Sequence, residues 1–477
     1  MSAIFAKGIP YMHTRPQNKM GVMPVGRLLV TMALPIMLAM MIQALYNVVD
    51  SIFIAQVSEE ALTAISLAFP IQMLMISVGV GTAIGVNSLL SRRLGERLYA
   101  EASAVAMNGI FLAVIIWLVF AIFGAAIGPF FFQFFTADES IISMGRIYLF
   151  ICTTASLGIF GQLVCERIMQ GTGDTIHPMI TQGIGAILNI ILDPILIFGL
   201  LGFPKMGITG AAVATVIGQL TAFGLAVFFM LRKTKEITFK FRGFRPSGKI
   251  IAKIYNVGMP AIVMQSIGSV MTIGMNSILT TFSATAVAVF GVYFKLQSFI
   301  YMPVFGLVTA MISIVGFNYG ARRKDRITRT IRVAIFISLS VMLSGTLLFQ
   351  LAPQVLLRMF DASPEMLEIG TRALRIISLS FPLAAVAIVF SSTFQAMGKG
   401  MLSLIMSATR QLVMILPVAY LLARTSGLNS VWYAFLISEA VSVSMSIVMF
   451  SQVYAKKIRV LIPLEHPQSS TPVVNPE

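Results

Sequence analysis

The sequence predicts an all-α polytopic membrane protein, with 12 transmembrane helices in two six-helix lobes related by a parallel pseudo-two-fold repeat. Three observations carry that prediction. Of the 477 residues, 57% are hydrophobic and only 11% charged, against roughly 25% charged in soluble domains, and the mean hydropathy is +0.90. Those values exclude a soluble enzyme, a disordered chain and a collagen-like fibre. Apolar runs long enough to cross a bilayer recur along the chain. An offset of 225 residues then superposes the second half on the first without a gap.

The first lobe holds six runs: Leu28–Ala55, Leu62–Leu90, Ala104–Phe130, Ile141–Cys165, Pro178–Leu200 and Ile208–Leu231. The second holds Ile251–Phe282, Ala286–Val315, Ile331–Leu356, Leu367–Met397, Leu402–Leu422 and Val431–Tyr454. Several exceed 25 residues, which implies tilt, kinks or extension beyond the lipid. The boundaries follow as a cytoplasmic N-terminal segment (1–25), an N-lobe (26–231), a basic cytoplasmic linker (232–250), a C-lobe (251–456) and a cytoplasmic tail (457–477). The tail beyond Ile462 carries Pro463, Pro467, Pro472 and Pro476 and reads as disordered. No cleavable signal peptide is visible, so the first run is expected to stay as a signal anchor.

A net charge of +16 would suggest nucleic acid in a soluble protein. Here the basic residues sort by side, and no nucleic-acid partner is implied. With the N-terminus cytoplasmic, 26 of the 34 Lys and Arg fall on the cytoplasmic side. Six (Arg146, Lys205, Arg358, Arg372, Arg375, Arg424) fall opposite. That asymmetry predicts both termini in the cytoplasm of an inner (plasma) membrane protein.

The repeat pairs Pro35 with Pro260, Phe69 with Phe294, Gln72 with Gln297 and Gly81 with Gly306. It also pairs Ser88 with Ser313, Gly95 with Gly320, Arg97 with Arg322, and Gly173 with Gly398. Six spans separate the copies, so both have the same orientation, which is a transporter architecture. Pro35 and Pro260 are the expected hinges of spans 1 and 7.

Ionisable residues inside spans are functional-site candidates by default. Asp50 lies near the outer end of span 1, with Tyr46 four residues earlier on the same helix face. Asp193 lies in the outer half of span 5, with Asn189 four residues earlier and Pro194 next. Thr215 lies about two turns into span 6, at similar depth. Two carboxylates, an amide, a phenol and a hydroxyl form a hard-oxygen set suited to Na⁺ or a shared proton. The offset maps Tyr46, Asp50, Asn189, Asp193 and Thr215 onto Met271, Met275, Met414, Val418 and Ala440. A set needed only for folding should recur in both copies, so function is the favoured reading. Possible substrate or gating contacts are Gln43, Gln265, Lys295, Arg410 and Glu439, with Arg410 and Glu439 able to neutralise each other.

The remaining polar signals read as structural. Glu166 and Arg167 precede Gln170-Gly171-Thr172-Gly173-Asp174 and are expected at a solvated helix end before a tight turn. His13, His177 and His466 are expected in solvated loops or tails. Gly79, Gly81 and Gly207–Gly210 suggest close helix packing. Cys152 and Cys165 have no metal-ligand spacing. No nucleotide motif or catalytic set is legible, so no cofactor is expected and ATP is not the expected energy source.

Several motifs together resemble the multidrug and toxic compound extrusion (MATE) family. They are Leu45-Tyr46-Asn47-Val48-Val49-Asp50, Asn189-Ile190-Ile191-Leu192-Asp193-Pro194 and Gln170–Asp174. Gly210–Thr215, Tyr293-Phe294-Lys295-Leu296-Gln297 and Trp432-Tyr433-Ala434-Phe435 add to them, and the resemblance runs from about Gly26 to Tyr454. It implies two lobes around a V-shaped cavity and export of varied, often cationic or aromatic drugs or metabolites against entry of H⁺ or Na⁺. It also implies that a monomer suffices. The family's N-lobe cation site falls on Asp50 and Asp193, with Asn189, Thr215 and Tyr46 beside them. Another branch has acids in spans 7 and 10; this chain has none within them, Gln265 being the nearest polar residue in span 7 and Glu368 lying at the outer entrance of span 10. The rival readings are a lipid-linked precursor flippase of the same superfamily and a membrane-embedded transferase or hydrolase.

Overall fold

The computed structural model describes residues 18–462 apart from Asp361, and leaves out the side chains of residues 47, 48, 50–52, 55, 59, 127 and 129. His13, His466 and the tail beyond Ile462 lie outside the described residues. The chain folds as helices α1 (Lys19–Val22), α2 (Val25–Ala55), α3 (Glu59–Gly95), α4 (Tyr99–Phe131), α5 (Glu139–Thr154) and α6 (Leu157–Gly171). There follow α7 (Ile176–Phe198), α8 (Ile208–Lys233), α9 (Gly248–Thr280), α10 (Ala284–Gly320), α11 (Lys324–Leu351) and α12 (Pro353–Arg358). The last are α13 (Pro364–Ser378), α14 (Phe381–Ala396), α15 (Gly400–Ala408), α16 (Leu416–Ser426), α17 (Leu428–Val431) and α18 (Tyr433–Val453). Among the described residues, 11 helical stretches are long and apolar enough to cross a membrane, and 12 if the pair α13–α14, bent by 47°, counts as one. A π-helical stretch, Thr409–Ile415, joins α15 to α16.

The repeat is written into the helix ends. Ser58 and Ser283, one offset apart, cap α3 and α10 by accepting from the backbone N–H of Ala61 and Ala286, each at 3.1 Å. Asp138 and Ser363 cap α5 and α13 in the same way. At the other ends, Arg97 and Arg322 both adopt left-handed backbone (φ 60° and 56°), as do Gly173 and Gly398 (φ 98° and 78°). In each case the next N–H reaches back to the carbonyl five residues earlier, as Leu98 does to Arg93 and Arg323 to Asn318, both at 2.9 Å. The tight turn read at Gly173 is therefore one of a matched pair.

The lobes meet across a symmetric seam. A Cβ on Gly81 would fall 2.4 Å from the Ile262 side chain, and one on Gly306 would fall 2.8 Å from Met37. Ile262 and Met37 are themselves one offset apart. The same holds deeper down: Gly95 abuts the Phe317 carbonyl and Gly320 the Arg92 carbonyl. Ser88 Oγ donates to the Gln395 carbonyl at 2.6 Å, and Ser313 Oγ to Asn87 Oδ1 at 3.0 Å. All these contacts lie in the halves of the helices nearest the basic loops, so that face is sealed.

Helix α1 straps the seal. Asn18 caps it with Oδ1 and donates through Nδ2 to the Thr172 carbonyl and to Glu236. From the other lobe, Asn318 donates to the Met20 carbonyl, Arg323 to Gly21, and Arg326 to Met20 and Met23. Burial lowers the affinity of the Lys19 ammonium for its proton, and nearby Asp174 acts against that shift.

Candidate functional site

The polar cluster of the first lobe rests on the contact between α7 and α8. Gly185 and Gly218 let the backbones touch: a Cβ on Gly218 would fall 2.8 Å from the Gly185 carbonyl oxygen. Gly210 abuts the backbone of Leu196 one level further along. Between these two contacts Asn189, at 2% exposure, faces Thr215. Asn189 Nδ2 donates to Asp193 Oδ1 and to Thr215 Oγ1, each at 3.3 Å. Asp193 is fully buried. Asn189 Oδ1 is buried and accepts no hydrogen bond among the described residues. Pro194 has no N–H, so the Ile190 carbonyl lacks its helical donor. The cluster thus gathers carboxylate, amide and hydroxyl oxygens, a hard-oxygen set that fits Na⁺ or a proton.

Helix α2 runs parallel beside α7. Gln182 Nε2 donates to Gln43 Oε1 at 3.0 Å, and further along Phe53 meets Phe198 edge to face. Position 50 lies between those contacts, level with Asn189–Asp193; its side chain lies outside the described residues. Tyr46 is half-buried. Pro35 and Pro260 both sit inside unbroken helices, on the basic side of each midpoint.

In the second lobe Arg410 Nη1 lies 2.8 Å from Glu439 Oε1, and Ser438 Oγ donates to the Arg410 carbonyl. Arg410 lies in the π-helical stretch, where the ladder shifts register beside Gly268. Glu439 Oε2 is buried with no hydrogen-bond partner among the described residues. Lys295 sits 5.9 Å from the centre of the Phe360 ring. Gln265 is exposed on α9, one turn from Ile262 at the seam. Two separate clusters result, acidic and amidic in the first lobe, cationic and paired in the second.

A family model, MatE, matches residues 35–195 and again 260–421, two copies that start one repeat offset apart. The chain belongs to the MatE family. It is 26% identical to the FAD transporter of Shewanella oneidensis over 418 residues, covering 86% of this chain and 91% of that one. It is also 26% identical to the multidrug export protein MepA of Staphylococcus haemolyticus, over 86% of this chain and 89% of that one. A solved structure described as the outward-facing conformation of a multidrug resistance MATE family transporter superposes with a TM-score of 0.86. The two are 27% identical, over 93% of this chain and 98% of that one. MatE proteins are transporters, so this chain is a multi-pass membrane transporter and not an enzyme.

Two readings of the sequence need correction in this MatE chain. Glu166 and Arg167 are not at a solvated helix end: they are 6% and 9% exposed. Glu166 Oε1 accepts from Gln162 Nε2 and Thr181 Oγ1, both at 2.9 Å, and Arg167 Nη1 donates to Gln170. The four-residue spacing of Gln162 and Glu166 was a visible signal; the approach of Thr181 from α7 was not. His177 is no loop residue either. It stands in the first turn of α7, with Nδ1 2.6 Å from Asp174 Oδ2 and its ring against Phe229. The glycine pairs behave as helix contacts, with Gly79 against Phe160 and Leu163.

Proposed function

We propose that this MatE protein is a secondary active exporter of varied, cationic or aromatic small molecules, driven by entry of H⁺ or Na⁺. It works in the inner membrane as a monomer with both termini cytoplasmic. The observation that carries the reading is Asn189 bridging buried Asp193 and Thr215 in one lobe only. The equivalent positions of the other lobe, Met414, Val418 and Ala440, hold no polar group. With the basic face sealed, the ion arrives from the opposite side and meets Asp193, Asn189 and Thr215, with Asp50 and Tyr46 completing the set. Binding neutralises a carboxylate that attracts a cationic cargo, and the cargo leaves. The effect is reciprocal, since two ligands that weaken each other do so by the same factor. One proton exchanged for a monovalent cation moves no net charge, so a pH unit then supplies only ~1.4 kcal/mol, about tenfold accumulation. Two carboxylates allow a second ion and add ~2.3 kcal/mol per 100 mV.

The test is efflux of a fluorescent aromatic cation from proteoliposomes under an imposed pH gradient and, separately, a Na⁺ gradient. The parent protein should respond to one gradient and so name the ion. Asp193→Asn and Asp50→Asn should lose that response. Gradient-driven transport surviving in both variants would remove the N-lobe site from the coupling.

A second reading concerns the cargo. Arg410 and Lys295 make the second lobe cationic, and one relative is an FAD transporter. An anionic aromatic cargo would then bind at the Arg410–Glu439 pair, and Arg410→Met should abolish transport of that class while sparing cations.

A further inference from the structure

On the basic face, a recess of about 840 Å³ opens between the start of α11 and the end of the last span. Lys324, Arg329 and Arg332 line one wall, and Tyr454 and Arg459 the other. The local sequence explains the shape. The left-handed turn at Arg322 launches α11; Arg329 stands three residues before Arg332, and Lys324 eight before it, two four-residue steps along one face. Opposite, the π turn Tyr454–Ile458 carries Arg459 outward.

The charges in this recess are left over from folding. Arg323 and Arg326, their neighbours, are engaged with the backbone of Gly21, Met20 and Met23. Lys324, Arg329, Arg332 and Arg459 form no ion pair among the described residues. Among the described residues, Asp325 is the one acid lining the recess. Four like charges held this close repel one another, and a multivalent anion relieves the repulsion. The surroundings say what else that anion carries. One turn beyond Arg332, Phe336 is 72% exposed, and Leu343 and Leu347 continue the same outward stripe. On the other wall Ile447 and Val448 are exposed below Tyr454. The recess is therefore basic at its mouth and continuous with bare apolar helix faces, with an aromatic ring between them, as at a membrane interface.

The geometry points to a binding site for an anionic phospholipid whose headgroup carries two phosphates, on the leaflet nearest the basic loops. Phosphates engage Arg329, Arg332, Lys324 and Arg459 by charge-assisted hydrogen bonds, and acyl chains lie along the Phe336 and Val448 faces. A single phosphate would leave most of the charge uncompensated, and a soluble anion would leave the apolar walls unused. Such a lipid would tie the second-lobe helices α11 and α18 together at the sealed face.

The full chain, delipidated in detergent, is titrated with cardiolipin, phosphatidylglycerol or pyrophosphate and followed by native mass spectrometry. One cardiolipin per chain should bind in preference to phosphatidylglycerol. Arg329→Gln/Arg332→Gln/Arg459→Gln should weaken it roughly fivefold for each arginine removed, about a hundredfold together. These side chains are exposed and unpaired, so thermal unfolding should be unchanged. Lys240→Gln/Arg242→Gln/Arg245→Gln, an equal charge change in the exposed linker, should leave binding as in the parent. Equal loss in the linker variant, or no loss in the recess variant, overturns the site. Phosphatidylglycerol binding as tightly as cardiolipin overturns the two-phosphate headgroup. Displacement of the lipid by equimolar pyrophosphate makes it a site for a soluble anion and overturns the lipid.

Discussion

At the scale of single residues, the second lobe holds the costliest arrangement. Arg410 and Glu439 balance each other's charge through one contact, Nη1 to Oε1 at 2.8 Å, and breaking one partner leaves a charge with nothing to balance it. Glu439→Gln and Arg410→Met should each cost ~3 kcal/mol or more, while the double variant should lose far less than the sum. Unfolding in detergent across the four-member cycle measures this; additive losses would mean the pair has no coupling. The first-lobe cluster was legible in the sequence because Asn189–Asp193 is a four-residue spacing on one face and Thr215 follows from depth. The Glu166 cluster was only half legible. Gln162 shares its helix, but Thr181 depends on how α7 leans on α6, which no local spacing encodes.

At the scale of elements, hydropathy placed the spans well but could not see α1. It has four residues and no apolar run, and its role lies in where its capping residue points. Asn18 ties α1 to the first lobe and the linker through one side chain: Oδ1 starts the helix while Nδ2 holds the Thr172 carbonyl and Glu236. The second lobe grips the same helix through Asn318, Arg323 and Arg326 on the backbone of Met20, Gly21 and Met23. Asn18→Ala should release the strap at a cost of about 1–2 kcal/mol. Hydrogen exchange should then speed up roughly tenfold in residues 170–174 and 318–326, with the far ends of the helices unchanged. Unaltered exchange there would mean that α1 merely rests on the surface. The breaks in spans 4 and 10 also escaped the sequence reading. Ala155–Ser156 and Leu379–Ser380 interrupt their helices within one residue of the same repeat position. Serine hydroxyls there take back the Thr153 and Ile377 carbonyls, a local bond that apolar runs conceal.

At the scale of the whole molecule, the two copies divide their labour by what the repeat keeps. Positions shared between copies are caps, turns and seam contacts; positions that differ hold the polar chemistry. The sequence revealed the shared glycines, but their purpose appears only when Gly95 meets Phe317 and Gly320 meets Arg92 across the axis. A Cβ at Gly95 would fall 1.9 Å from a carbonyl oxygen, and one at Gly320 would fall 2.1 Å from its counterpart. Backbone cannot step aside as a side chain can, so the lobes must separate. Gly95→Ala and Gly320→Ala should each destabilise the sealed face by about 1–3 kcal/mol, favouring the state open toward the basic loops. Spin labels at Ala100→Cys and Asp325→Cys, one offset apart, report the opening; the native Cys152 and Cys165 are buried. Both variants should lengthen that distance to a similar degree. Gly224→Ala, with nothing within 4 Å of the added methyl, should leave it alone. Because the contacts are exchanged by the same pseudo-two-fold axis, a response in only one variant would show that the lobes do not open as equivalent bodies. An equal response would make the seam a symmetric gate, worked from one side by the ion site proposed for the first lobe.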